Sequence, residues 1–484
     1  MISIPSSVSF VILQKGHRPV NKSFRVIGLD RAYEGQYVPV IMTYLIYNAI
    51  LMAASCVLVP YYGMKLLVTR KYRKSLGPKL GRVSDESREA LTGSPRIWVH
   101  AVSVGEVTAA APIIASLRER MPEACIVLST STETGQEMAR RVVTDATAII
   151  YYPLDIPCVV KRVMDRIQPD IFVPVETELW PNFIRICKER GVRIVMVNGR
   201  ISPRSFRRYR QTACFWKGIL GQIDAVGAIS RTDAERLQAM GMDPSRIHVM
   251  GNAKYDGLAA GAEDSLKEEM RHRLRIEPGS KVFVAASTHA GEEEIVIDVY
   301  RKLRARYEDM VLIIVPRHPE RGEAVRSLIQ KAGISDIISM TDINGGKERS
   351  NEHVIVIDVI GELFRVYSLA TVVFCGGSLV PKGGQNILEP AAWGTVVLHG
   401  PSMDDFTGER MALEEVGAGI TVRNGRELAD RIDTLLEDPY SLARRGGRGR
   451  DVVLNNQGAS RRYAELITRS MQVKDPDDRS IPER

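Results

Sequence analysis

With 484 residues, of which 44% are hydrophobic and 26% charged, the chain has ordinary values for a folded protein and room for two or three domains with substantial cores. A formal charge of +8 favours an acidic partner such as anionic lipid or a sugar nucleotide, while the lack of zinc-ligand spacing and of basic runs interleaved with aromatics argues against nucleic acid. Cys56, Cys125, Cys158, Cys187, Cys214 and Cys375 include no CxxC pair, so they read as reduced thiols and exclude a disulfide framework.

Residues 1–37 are polar and aperiodic, an N-terminal extension with Met42 as an alternative start. Residues 38–64 are the most apolar stretch, and a run of about 20 such residues suffices to cross a bilayer. Lys65, Arg70, Lys71, Arg73 and Lys74 follow at once, a bias that leaves the rest of the chain on the cytoplasmic side. The stretch is expected to be a membrane-anchor helix, spanning the bilayer or lying in its interface, with a buried core helix as the plainer alternative.

From Arg96 onward strands and helices alternate. Strands are predicted at Ile97–Val102, Cys125–Thr130, Ala148–Tyr152, Ile171–Val175 and Arg193–Asn198, with helices such as Thr108–Arg120 and Gly135–Val143 between them. After a loop near Gly241–Asp256 a second set follows at Val282–Ser287, Val311–Val315, Val354–Ile357, Thr371–Cys375 and Thr395–Leu398. Alternation at this pitch predicts α/β architecture: two Rossmann-like, doubly wound parallel sheets, over 93–250 and 251–455, facing a cleft. A C-terminal helix and tail occupy 456–484. Ligands of such sheets sit beyond the carboxyl ends of the strands.

Chemistry-bearing residues gather at those ends. HAVSVGEVTAA (100–110) places Glu106 where a strand turns into a helix, as a general base or merely as an acid favourable to the helix dipole. ETELWPN (176–182) adds Glu176 and Glu178 at the same edge. In the second half, the hydroxyls of STHAGEE (287–293) suit a helix cap or a phosphate. PRHPER (316–321) sets Arg317 at a strand end, where its fork can hold a phosphate or carboxylate, and Gly361-Glu362 occupies the equivalent place after the next strand. The stretch 371–398 reads as strand, glycine-rich loop, helix (Ile387 to Trp393) and strand, with Glu389 in the first turn. That carboxylate suits ribose hydroxyls, or is an ordinary helix-start acid. There is no HExxH, no paired histidine and no acidic cluster of metal spacing, so neither metal nor cofactor is expected.

Taken together, the apolar N-terminal segment, SVGE, ETELWPN, GNAKYD (251–256), STHAGEE, PRHPER and GGSLVPKGGQNILEP (376–390), in that order, closely resemble the lipid A Kdo transferases (3-deoxy-D-manno-octulosonic-acid transferases). The match runs from Met42 to the C-terminal helices. The resemblance implies a glycosyltransferase B fold, a CMP-Kdo donor, a lipid IVA acceptor, and work at the cytoplasmic face of the bacterial inner membrane among anionic lipids. It further implies Glu106 as general base, Glu176 and Lys254 as groups stabilising the transition state, and CMP contacts at Pro316, Arg317, Ile360, Gly361, Glu362, Asn386, Ile387, Leu388 and Glu389. Gln385 stands where the family pattern has a histidine, and Asp405 where it has an asparagine. A sugar-nucleotide epimerase on the same double-Rossmann plan and a membrane-tethered, non-catalytic sugar-nucleotide binder are the alternatives. A nicotinamide oxidoreductase is not, for want of G-x-G-x-x-G opening a helix.

Overall fold

The computed structural model describes residues 44–56, Pro60 and 73–472. The expected extension 1–37, the end of the expected tail and about half of the expected anchor 38–64 lie outside the described residues.

Two seven-stranded parallel sheets form the body. The first contains β1 (Arg96–His100), β2 (Cys125–Thr130), β3 (Ala148–Tyr151), β4 (Ile171–Pro174), β5 (Arg193–Gly199), β6 (Ala225–Ala228) and β7 (Ile247–Val249), in the order β3-β2-β1-β4-β5-β6-β7. The second contains β8 (Val282–Thr288), β9 (Val311–Pro316), β10 (Ile337–Ser339), β11 (Val354–Val356), β12 (Val372–Cys375), β13 (Val396–His399) and β14 (Gly419–Thr421), in the order β10-β11-β9-β8-β12-β13-β14. Helices cover both faces of each sheet, so the inner strands are apolar throughout; all six residues of β2 and of β9 are buried.

The strand order reverses between β1 and β4 in the first sheet, and between β8 and β12 in the second. At these pairs, Trp98 stands opposite Phe172, and Val284 opposite Val373. The helices leaving the two strands of each pair diverge to opposite faces and open a crevice at the carboxyl ends. The C-terminal helix Ala459–Gln472 returns to the first half and packs on the helix Val104–Arg120, adding Tyr463, Ala464 and Ile467 to that core.

All ten predicted strands are present to within two residues. The short strands β6, β7, β10 and β14 are additional; they have three or four residues each, too few to display a period. One helix is shorter than its sequence suggests: Ile387 to Trp393 contracts to the single turn Leu388–Ala392.

Residues 44–56 are helical and lie against the first half through a polar seam. Tyr47 donates to Asp155 Oδ2 (2.9 Å), Asn48 and Asn182 exchange amide hydrogen bonds (3.1 and 2.8 Å), and Gln222 donates to the Tyr44 hydroxyl. Among the described residues no helix is long and apolar enough to cross a membrane.

Candidate active site

The first switch point gathers carboxylates. Glu106 lies in the first turn of Val104–Arg120 and is only 8% exposed. Its side chain folds back onto the loop before the helix: Oε2 accepts the Val102 N–H (2.7 Å) and Oε1 accepts the Ser103 hydroxyl (3.0 Å). Burial, together with the charges of Glu178 and Glu176, outweighs these two bonds and pushes the Glu106 carboxyl up to about 8.

Just past β4, Glu176 adopts φ +61°, a left-handed conformation unfavourable for a residue with a Cβ. Its N–H is held by the Val197 carbonyl at 2.9 Å. Strain of this kind persists where surrounding contacts over-determine it, as at functional sites. Two residues on, Glu178 accepts the Trp180 indole N–H (3.0 Å), and burial aided by Glu176 pushes it up to about 7 against that bond.

Lys254 supplies the opposing charge: its Nζ is 2.8 Å from Glu176 Oε1. A Cβ added at Gly105 would lie 3.9 Å from Nζ, which puts the ammonium beside the turn that carries Glu106. The rest of GNAKYD serves to place this lysine. Asn198 accepts from Ala253 N (2.9 Å), Asn252 from Lys254 N (3.0 Å), and Asp256 from Ser460 N (2.7 Å). The helix Lys254–Gly261 packs against both Val104–Arg120 and Leu388–Ala392, so Lys254 stands at the junction of the two halves.

The second switch point is built around two fully buried acids, Glu292 and Glu293, whose role only the fold discloses. Glu292 accepts backbone N–H bonds from His289 (3.0 Å), Gly377 (2.8 Å), Ser378 (3.0 Å) and Leu379 (2.9 Å). Glu293 accepts the Arg321 guanidinium at both oxygens, one at 3.1 Å from Nε. Side by side, these carboxylates tie the loop after β8 to the glycine loop after β12 and to PRHPER. Their only trace in the sequence is a run of three acids that begins four residues past a strand. Gly376 is required where these loops touch, since a Cβ there would meet the Ser287 carbonyl at 2.6 Å.

Of the hydroxyls in STHAGEE, none caps the following helix. The cap is Gly291, whose N–H goes to Glu294 (3.0 Å). Thr288 Oγ1 and His289 Nε2 are buried and have no partner among the described residues. Arg317, directly after Pro316, is fixed through its backbone N–H to the Thr288 carbonyl (2.9 Å), with an exposed side chain that joins no carboxylate among the described residues. Two unpartnered polar atoms near a guanidinium that joins no carboxylate among the described residues suit a phosphate.

Around Glu389 the start of the helix is partly occupied by the chain's own side chains. The single turn Leu388–Ala392 has its first N–H taken by Asn386 Oδ1 (3.1 Å). Asn386 also donates to Glu389 Oε1 (3.0 Å), and burial, opposed by that bond, pushes Glu389 up to about 7. The side chains of Ile387 and Leu388 are buried in the core. Glu362 pairs with Arg273 (3.1 Å) and keeps a buried Oε2 without a partner among the described residues, while Ile360 is exposed.

Two arginines of the first half cross to this second site. Arg141 donates to the Gly361 carbonyl (3.0 Å), and Arg200 to the Asp405 carbonyl. Gly361 has φ +93°, and a Cβ there would collide with the Arg141 guanidinium. The structure thus brings Glu106, Glu176 and Lys254 together on one side. Arg317, Gly361, Glu362 and Asn386–Glu389 lie at the strand ends of the other half.

A family model described as 3-Deoxy-D-manno-octulosonic-acid transferase (kdotransferase) matches residues 74–257. A 3-deoxy-D-manno-octulosonic acid transferase of Haemophilus influenzae is 32% identical over 87% of this chain and 97% of its own length. Among solved structures, a UDP-GlcNAc 2-epimerase of Neisseria meningitidis (TM-score 0.54, 12% identical, 78% of this chain and 99% of that one) has the same two-domain fold. So does a glycosyltransferase of Rickettsia africae (TM-score 0.53, 15% identical, 79% of this chain and 100% of that one). Sequence similarity along nearly the whole of a relative, with two doubly wound domains meeting at a carboxylate–lysine site, leads to one conclusion: this chain is a glycosyltransferase that belongs to the Kdo transferase family.

Proposed function

We propose that the protein transfers Kdo from CMP-Kdo to a hydroxyl of the lipid A precursor lipid IVA, with inversion at the anomeric carbon. The observation that carries this reading is the pairing of a buried Glu106 beside the Glu176–Lys254 ion pair with the unpartnered Thr288 and His289 next to Arg317 in the other half. Glu106, when ionised, takes the proton of the acceptor hydroxyl as its oxygen attacks the anomeric carbon. The bond from that carbon to the phosphate breaks and CMP leaves with the electron pair, through a transition state with oxocarbenium character. Attack from the face opposite the leaving group gives the inverted product. Lys254, oriented by Glu176, offsets charge on the departing phosphate, and Arg317, Thr288 and His289 hold that phosphate. Backbone groups of Ile360–Glu362 and Asn386–Leu388 take the nucleoside, with Glu389 on the ribose hydroxyls.

The apolar run 38–64 and its basic flank support attachment to the cytoplasmic face of the inner membrane, among anionic lipids, where such an acceptor resides. The test is CMP release from CMP-Kdo with and without lipid IVA: release that depends on acceptor is expected. Binding of UDP-GlcNAc with conversion at C2, and no acceptor-dependent release, would establish an epimerase instead.

Two further results are expected. Arg317→Ala should weaken CMP by about 1.5–3 kcal/mol, the range for a hydrogen bond to a charged group, and leave cytidine binding nearly unchanged. Calorimetry decides it, and equal losses for both ligands would place Arg317 away from the phosphate. The second concerns pH. Because Glu106 is pushed up to about 8 and acts ionised, turnover at low acceptor concentration should rise with pH and level off above about 8. Glu178→Gln removes a neighbouring negative charge, so this rising limb should move to lower pH. A limb that stays in place in the variant would show that Glu106 is not the titrating group.

A further inference from the structure

At the carboxyl ends of β8 and β12 the backbone offers two places for an anion, and the chain fills both with its own carboxylates. The first is the glycine loop after β12. Gly377 has φ +66°, and the successive N–H groups of Gly377, Ser378 and Leu379 turn to one side, a concave arrangement that binds anions. Here the anion is Glu292. Its Oε2 takes the N–H groups of Gly377 and His289, and its Oε1 takes those of Ser378 and Leu379. A carboxylate has about four lone-pair sites, so Glu292 is saturated. The second place is the start of the helix Glu292–Arg304, where Glu294 takes the Gly291 N–H and Glu292 occupies the first turn.

The filled nest adjoins the groups assigned above to the phosphate. His289 gives its backbone N–H to Glu292 and keeps a buried Nε2 with no partner among the described residues. A Cβ added at Gly377 would lie 3.5 Å from that Nε2. What is left for a ligand at this place is a small set of side-chain donors: Thr288 Oγ1, His289 Nε2 and the exposed guanidinium of Arg317. These suit one phosphate. A second phosphate bonded to the first finds no backbone cradle beside it, only a saturated carboxylate that repels it.

We propose that Glu292 sets the class of donor: by filling the glycine-loop nest it keeps the site for nucleotides with a single phosphate and turns away nucleoside diphosphates. Discrimination then comes from a repulsive element built against the wrong ligand rather than from added contacts to the right one. The proposal rests on the transferase reading, in which the donor releases CMP, and adds to it the residue that bars a diphosphate donor. Glu292 is a positioning and specificity residue; it touches the loops and not the reacting atoms.

The test is calorimetry on the full-length protein with CMP, CDP, UMP and UDP. The wild type is expected to bind CDP no more tightly than CMP, despite the additional charge. Glu292→Ala empties the nest, and the ratio of CDP affinity to CMP affinity should rise at least about tenfold, on the scale of a relieved like-charge contact. Acetate, which supplies the missing carboxylate, should compete with CDP in that variant and not with CMP. Glu292→Gln keeps the size and one acceptor oxygen, so it guards against loss of the loop in the alanine variant, and it should move the ratio in the same direction. A mere brace would behave differently: both variants would melt earlier and weaken the two nucleotides alike, with no response to acetate. An unchanged ratio in a folded variant would overturn the proposal, as would a wild type that already binds CDP more tightly than CMP. That wild-type comparison decides alone if neither variant folds. A wild-type preference for uracil over cytosine nucleotides would overturn the CMP-donor reading instead, whichever way the comparison of one phosphate with two falls.

Discussion

Glu106→Gln is expected to reduce turnover about 10²–10⁴-fold, the usual cost of removing a general base. The substitution keeps the size of the side chain and one carbonyl oxygen, so one of the two bonds from Val102 N–H and the Ser103 hydroxyl survives. What it removes is the ability to accept a proton. CMP affinity should hold, because the residues proposed to take the nucleotide all belong to the other half of the chain, in the loops after β8, β9, β11 and β12. An acid that merely complements the start of the helix Val104–Arg120 would behave differently: its loss would cost about 0.3–1 kcal/mol of stability with little change in rate. Turnover, melting temperature and CMP affinity measured on the one variant separate the two roles. Near-normal turnover with a lowered melting temperature would remove Glu106 from the mechanism and leave Glu176 as the next candidate.

Lys254→Ala should lower kcat by about 10²–10³-fold, the scale on which a preorganised donor to developing charge acts. Ground-state CMP binding should fall much less, since the charge on the departing phosphate grows only as the bond breaks. The complication is Glu176, which loses its 2.8 Å partner and becomes an unpaired, three-quarters buried carboxylate. The double variant Lys254→Ala/Glu176→Gln resolves it. If the lysine served only to neutralise Glu176, the double variant would recover most of the lost rate; if the lysine acts on the phosphate, it stays as slow as the single variant. Recovery to near the wild-type rate would contradict the role given to Lys254.

The two sheets were legible in the sequence because parallel strands covered on both faces are unbroken apolar runs, as Cys125–Thr130 and Val311–Pro316 show. Strands β6 and β14 were not, because AVGA and GIT pair at or near sheet edges with too few β-favouring residues to stand out. Glu106, Glu176 and Arg317 were legible as charged residues at predicted strand ends, the place where such sheets bind ligands. Lys254 was reached through the family resemblance alone, since its meaning depends on a carboxylate 78 residues away.

Glu292 was opaque for the same reason. Its partners lie on its own loop and on a glycine loop about 85 residues on, and in the sequence it is one acid among three at a helix start. The helix 44–56 was legible as apolar, but its seam was not. Tyr44, Tyr47 and Asn48 have the i, i+3, i+4 spacing of one helix face, yet that spacing became meaningful only once Asp155, Asn182 and Gln222 were seen opposite. That the Asn386 side chain takes the first N–H of the Leu388 turn is a local detail that the glycine-rich stretch 371–398 does not disclose.

We propose transfer of Kdo within this cleft, with Glu106 as base. It is tested most directly by incubating purified protein with CMP-Kdo and lipid IVA, then resolving the product by mass and its new anomeric centre by NMR. An adduct heavier by one or more Kdo residues, joined with inverted configuration, is expected, and no such product from Glu106→Gln on the same timescale. Retained configuration, or an undiminished yield from Glu106→Gln, would contradict it.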